Sequence, residues 1–301
     1  MIPFVKMHGC GNDFVLVREA DLVSPGTAGG AAAPAWRVDI ARFTAALCDR
    51  HFGLGADGLL VYGPRPAHDG MQRLRMFYWN ADGSRAEMCG NGARCVVRLA
   101  WERGETAATC VLETDAGDRP ARVRPLAGHA PAVEIDMGAA VWEPERVPVR
   151  GNGPLVLVPM HAAGHTVQVT AVSMGNPHAV VFVADRSALA DVPLATLGAA
   201  LARHAAFPEG ANASFVAADA DGLHLRTWER GVGATLACGT ATCAATAAAR
   251  RAGYLTASRT RVHQPGGTVD VWEASDGHLW MSGPAVQVAA GEITDEWLAA
   301  L

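Results

Sequence analysis

One pattern is written twice along the chain. An alternating apolar run ending in Trp79 is followed ten residues later by Cys89-Gly90, and a second run ending in Trp228 is followed ten residues later by Cys238-Gly239. After each Cys-Gly, small residues lead into a helical stretch, from Ala93 in the first copy and from Thr240 in the second. A shorter echo pairs Gly11-Asn12 with Gly175-Asn176. A spacing like this also arises by chance, and it is the shared strand-turn-helix context that argues for duplication. The copies stand about half of the 301-residue chain apart, a length that holds two domains with a core each. The division is expected near 128–131, giving an N-terminal half 1–130 with Cys89 and a C-terminal half 131–301 with Cys238, the last strands being free to return to the first half. Two such halves, each offering one cysteine at a strand-to-helix turn, are expected to meet at a cleft.

The element pattern predicts an α+β protein. Period-two runs with β-branched residues at Val133–Met137, Leu155–Met160, Val167–Val172, Leu223–Trp228 and Thr268–Trp272 read as strands. Helices are expected at Asp39–Arg50, Ala93–Glu102, Leu194–His204 and Thr240–Arg251, with Asp191 and Pro193 as start signals for the third. The Gly/Ala/Pro-rich run from Pro25 to Pro34 has no apolar period and reads as a loop insertion.

Composition removes several classes of function. With 30 acidic against 25 basic residues there is no basic excess for a nucleic acid or an anionic membrane surface. The N-terminus MIPFVKMHGCGNDF has no signal-peptide core, and the most apolar later run, Ala234–Ala249, is Ala/Thr-rich and interrupted by Gly239. A cytoplasmic location is expected. The 7 cysteines, Cys10, Cys48, Cys89, Cys95, Cys110, Cys238 and Cys243, form neither a disulfide framework nor a CxxC zinc pattern, and no HExxH stands among the 11 histidines. No metal is expected. Lys6 is the only lysine, so unless it serves, pyridoxal phosphate has no residue for a Schiff base, and no cofactor is expected.

A cysteine just before a helix faces the unpaired N–H groups of the first turn, where the positive dipole end favours thiolate and brings the pKa down from about 8.5 toward neutrality. For Cys48, Cys95, Cys110 and Cys243 the ordinary reading is a small buried hydrophobe; the flanking glycines and the duplication set Cys89 and Cys238 apart. Facing one carbon, one as thiolate and one as thiol, they would remove a proton from one face and return another to the opposite face. The two helix N-termini would hold the α-carboxylate as carbanion charge develops. Asn12, Asn80, Asn176 and Asn212 stand in Gly-rich loops where each either shapes a turn or binds a zwitterion. Glu229-Arg230 supplies the charge complement of an amino acid or a surface ion pair, and His178 either tunes a thiol or packs.

The segments MHGCGNDF, FGLGADGLL, WNADGSRAEMCGNGARC, MGNPHAV, FPEGAN and WERGVGATLACGT resemble diaminopimelate epimerase, in matching order across nearly the whole chain. The resemblance implies two pseudo-symmetric domains, each a sheet wrapped around a central helix. It implies cofactor-free interconversion of LL- and meso-diaminopimelate, a diamino diacid, in lysine and peptidoglycan synthesis. It also implies Cys89 and Cys238 as the catalytic pair, with Asn12, Asn80, Gly90, Asn91, Asn176, Asn212, Glu229, Arg230, Gly239 and Thr240 contacting substrate. His178 and Glu229 fall on positions that influence thiol ionisation. Four residues depart from the pattern: Gly58, where many members have a substrate-facing glutamine; Ala241, where glycine is usual; Ala234, where GxGET would place glutamate; and Ala289, where some members carry an interface tyrosine that bears on a homodimer.

Two other readings compete. A proline racemase or hydroxyproline epimerase would also use a cysteine pair, but a cyclic imino acid leaves the asparagines and Arg230 unsatisfied. An amino-acid-binding redox sensor would use Cys89 and Cys238 as a reversible disulfide.

Overall fold

A computed structural model of the chain describes residues 1–23, 36–126 and 128–301; the run from Pro25 to Pro34 lies outside the described residues. The chain divides into two compact units, Met1–Ile135 together with Gly283–Leu301, and Asp136–Ser282. The first unit contains β1 (Ile2–Gly9), β2 (Asn12–Arg18), β3 (Gly58–His68), β4 (Met71–Asn80), β5 (Arg85–Ala86), β6 (Thr109–Thr114), β7 (Gly117–Leu126) and β8 (His129–Ala139) up to Ile135. The second holds β9 (Val158–Ala162), β10 (His165–Ser173), β11 (Pro177–Phe182), β12 (Asn212–Asp219), β13 (Gly222–Glu229), β14 (Gly233–Thr235), β15 (Arg259–Gln264), β16 (Gly267–Glu273) and β17 (His278–Gly283) up to Ser282. The last strand, β18 (Val286–Ile293), belongs to the first unit and pairs with β1.

Within the first unit the hydrogen-bonded order is β18-β1-β2-β3-β4-β6-β7-β8, with β5 attached to β4. Only β2–β3 and β4–β6 are parallel. Parallel neighbours need a crossover: the first carries α1 (Glu19–Leu22) and α2 (Ile40–Cys48), the second α3 (Gly90–Glu102). The second unit repeats this winding as β9-β10-β11-β12-β13-β15-β16-β17, again parallel at two places, β11–β12 and β13–β15. Its crossovers carry α4 (Arg186–Asp191), a π turn Leu194–Gly198 and α5 (Ala199–Ala202), then α6 (Gly239–Arg251). The pseudo-symmetry is therefore one of topology: each cysteine opens the second crossover of its own unit.

Burial explains why each sheet curves around a helix. Phe14–Val17 of β2 and Gly58–Tyr62 of β3 are buried without alternation, because one face lies on α3 and the other on a layer formed by Phe43 and Leu47 of α2 with Ile293. In α6 nearly every position is Ala, Thr, Gly or Cys, so the strands approach closely, and the buried Thr242 and Thr246 hydroxyls donate to the carbonyls of Cys238 and Thr242.

Two element expectations need correction. The strand expected from Leu155 begins at Val158, since Leu157 takes φ +52° and breaks the extended run. The helix expected over Leu194–His204 is a π turn followed by α5, and Asp191 ends α4 instead of starting the next helix. The signal for α4 was Asp185, whose carboxylate accepts from Ala188 N. A short helix α7 (Asp295–Ala299) closes the chain, capped by Thr294.

Candidate active site

In the first unit the site is built from a hairpin and a helix cap. Cys10 (φ +54°) and Gly11 (φ +81°) form the two-residue left-handed turn that joins β1 to β2, with Gly9 paired to Asn12. That turn delivers Asn12 to the start of α3, where Cys89 is the N-cap in extended conformation. Asn12 Oδ1 lies 3.6 Å from Cys89 Sγ and accepts from Asn91 Nδ2 at 3.1 Å, while Asn12 Nδ2 donates to Asp57 Oδ2 at 2.7 Å. Asn91 Oδ1 accepts from Arg94 at 2.9 Å, and the wholly buried guanidinium also donates to the Pro284 carbonyl at 3.1 Å. Asp57 takes Arg50 at 2.9 Å, which is shared with Asp13. Burial pushes the Asp13 carboxyl up, but hydrogen bonds from Arg50 and Lys6 outweigh it and hold the group below the usual carboxylate range. Lys6 is held by Asp13 at 2.7 Å and by the Gly55 carbonyl.

The second unit repeats the device. Gly175 (φ +92°) turns β10 into β11 and delivers Asn176, while Cys238 is the N-cap of α6. His178 Nε2 donates to Asn176 Oδ1 at 2.9 Å, Asn176 Nδ2 donates to Thr240 Oγ1 at 3.4 Å, and Thr240 Oγ1 stands 3.5 Å from Cys238 Sγ. In both units the hairpin asparagine thus meets the side chain two positions after the cysteine. Burial pushes the Cys238 thiol well above its ordinary range. The Glu229 carboxylate adds to this by charge and by taking the thiol's hydrogen bond, against the opposing pull of the Thr240 hydroxyl and the Ala241 amide. The expectation that a helix N-terminus brings the thiol toward neutrality therefore fails for Cys238, where desolvation outweighs the dipole. Asn212 Oδ1 accepts from Arg230 N at 2.8 Å, and the Arg230 guanidinium donates to the Glu209 carbonyl at 2.7 Å.

His178 is wholly buried, and this, with the charge of Arg230, lowers its pKa to about 3. It is a neutral imidazole at working pH and reaches Cys238 through Asn176 and Thr240. In the unfolded chain it titrates near 6.5, so between the two values the unfolded state binds more protons. Stability contributed by this residue is complete above about 6.5 and falls with decreasing pH by about 1.4 kcal/mol per unit. Guanidinium unfolding between pH 4 and 7 should show a shallower slope in His178→Gln; equal slopes would remove His178 from the account.

Asn80 is the predicted contact that the structure engages elsewhere: its Nδ2 donates to Ser84 Oγ at 3.0 Å within its own turn. Gly58 pairs with Asn80, and a Cβ there would lie 2.5 Å from the Trp79 carbonyl oxygen and 2.6 Å from the Tyr78 ring. Gly58→Gln should accordingly lower stability by about 1–3 kcal/mol, measured by the denaturation midpoint, and give no gain in substrate affinity. Ala241 is wholly buried in the first turn of α6, while Ala234 and Ala289 are exposed, opposite Trp228 and Lys6 respectively. Three contributors escaped the sequence reading. Asp57 and Arg94 stood inside the quoted motifs as charges within two residues of a glycine, a usable signal. Gln264, which accepts from Cys238 N at 2.8 Å, comes from β15 with no local mark.

A cysteine capping the central helix of each of two like-wound units defines the class: the fold of racemases and epimerases. It is shared with a solved phenazine biosynthesis protein of the PhzF family from Bacillus anthracis, at TM-score 0.68 and 16% identity, covering 97% of this chain and 99% of that one. It is shared also with a probable proline racemase from Agrobacterium radiobacter, at TM-score 0.65 and 15% identity, covering 98% and 93%. The chain belongs to the diaminopimelate epimerase family and is an isomerase: the family model matches residues 4–143 and 170–288. A diaminopimelate epimerase from Aromatoleum aromaticum is 44% identical over 300 residues, covering 97% of this chain and 98% of the relative. Among the described residues no helix is long and apolar enough to cross a membrane.

Proposed function

We propose that the chain interconverts LL- and meso-diaminopimelate without a cofactor, Cys89 and Cys238 acting on opposite faces of one α-carbon. The observation that carries this reading is the repeated device just described, a cysteine N-cap with a hairpin asparagine beside it in each unit. Cys238 begins as the protonated member, held so by burial and Glu229, and Cys89 begins as the base. Proton removal by Cys89 and delivery from Cys238 invert the carbon, and the reverse isomer uses the roles exchanged. The N–H groups at Gly90-Asn91 and Gly239-Thr240 stabilise the α-carboxylate as negative charge develops. Asn12, Asn80, Asn176, Asn212 and Arg230 hold the remaining ammonium and carboxylate groups, Asn80 after releasing Ser84. Glu229 and His178 set the ionisation and position of the Cys238 thiol.

Cofactor independence is supported by the ion pair that pins the sole lysine, Lys6. A cytoplasmic setting suits thiols that must stay reduced, and the product would serve lysine and peptidoglycan synthesis. The test is reduced protein, with no pyridoxal compound added, offered LL-diaminopimelate and L-proline in parallel. Formation of meso-diaminopimelate with little D-proline is expected. Faster turnover of proline would overturn the substrate assignment, and no α-proton exchange from fully reduced protein would favour a redox sensor.

A further inference from the structure

A second cluster of chemistry-bearing side chains lies at the other end of β13 from Glu229. His224 on β13 pairs with His263 on β15, and their rings stack with centroids 4.5 Å apart and planes 5° from parallel. The hairpin between β12 and β13 brings two carboxylates to the same place: His224 Nε2 lies 3.4 Å from Asp219 Oδ2, and His263 Nε2 lies 3.3 Å from Asp221 Oδ2. Both Nε2 atoms are shielded from solvent and face these carboxylates without a well-aligned hydrogen bond. One ligand atom from each of Asp221, His224 and His263 falls within 4.8 Å of the others. Five residues of strand, about 17 Å, separate His224 from Glu229, so this cluster takes no part in the chemistry proposed above.

We infer that Asp221, His224 and His263, with Asp219 beside them, form a binding site for a divalent transition ion of the zinc type. Two imidazoles and a carboxylate are the donor set that borderline ions take. A cation between them would also satisfy two shielded ring nitrogens that meet the carboxylates only at 3.3–3.4 Å. His263 Nδ1 already lies 3.1 Å from Thr268 Oγ1; donation to that hydroxyl leaves Nε2 as the metal-facing lone pair, the outer support that histidine ligands usually have. The cation competing for the carboxylates is Arg186, 2.6 Å from Asp219 and 3.5 Å from Asp221, with Arg261 3.6 Å from Asp221. The ion would clamp β15 to β13 where that parallel pair is registered at only Leu223–Val262 and His224–His263.

The probe is Zn2+ titrated calorimetrically into the full, reduced chain, together with thermal unfolding. One equivalent should bind in a saturable step and raise the melting temperature. His224→Ala and His263→Gln should each weaken that step by at least about tenfold to 100-fold and abolish the thermal shift, while epimerisation in metal-free buffer stays at the wild-type rate and certifies the fold. Asp221→Asn, an exposed change, should weaken binding without touching the imidazoles. Absence of a saturable step, or a step unchanged in both histidine variants because thiols supply the ligands, would overturn the assignment.

Discussion

Cys89→Ala and Cys238→Ala should each lower the rate of epimerisation by about 10²- to 10⁴-fold or more, the range that a positioned acid or base supplies. The double variant should be no worse than the worse single one, because a proton removed with none returned completes nothing, and groups acting as a unit are not additive. Both cysteines cap their helices in an extended conformation that alanine also adopts, so the substitution removes the thiol, and at position 238 its contacts with the Thr240 hydroxyl and the Ala241 amide, while α3 and α6 keep their starts. Circular dichroism and unchanged denaturation midpoints would certify that. Cys95 and Cys243, fully buried one or two turns further along the same helices, serve as controls: Cys95→Ala and Cys243→Ala should alter stability and leave the chemistry in place. Full activity in either Cys89→Ala or Cys238→Ala would end the two-base account.

Glu229→Gln carries the second-largest expected effect, and its direction is set by the environment of Cys238. Burial is the larger cause of that thiol's raised pKa, and the Glu229 carboxylate adds charge repulsion and takes the thiol's hydrogen bond. Glutamine removes the charge but not the burial. The thiol then ionises at lower pH than in the wild type, and the alkaline limb of kcat/KM, where protonated Cys238 is lost as donor, should move to lower pH. Turnover at the optimum should fall by about 10²-fold. Alkylation of Cys238 by iodoacetamide, followed against pH by mass spectrometry, reads the same shift without substrate. An alkylation profile identical to wild type would show that Glu229 does not act through the thiol.

Much of this arrangement was legible before any coordinates, for a definite reason. The Trp-to-Cys-Gly repeat marks a place where the strand must end, turn and enter a buried helix, and small residues after the cysteine are what allow the sheet to close around α3 and α6. Both constraints are local, so they leave a trace in spacing. The Gly-Asn echo is local in the same way: a left-handed residue before Asn12 and before Asn176 is what a tight hairpin demands. What sequence could not show is tertiary. The buried Arg94 between Asn91 and the Pro284 carbonyl joins residues far apart in the chain, and Gln264 under Cys238 N depends on β15 packing beside β13. The thiol's ionisation was misjudged for the same reason: the helix dipole is read from the position of Cys238 along the chain, whereas its desolvation comes from strands that no spacing reveals. Leu194–His204 failed because helical periodicity continues through Ala199 whether the first turn is α or π.

The most direct test of the central claim is isotopic. Reduced protein is incubated with LL-diaminopimelate in deuterated water, and both isomers are analysed at low conversion. With Cys89 removing the proton and a separate, solvent-equilibrated Cys238 returning another, the first meso product carries one deuterium at the inverted α-carbon while the remaining LL isomer carries none. Meso product that retains the original proton, or deuterium entering the unreacted LL isomer as fast as product forms, would show a single base and contradict the account.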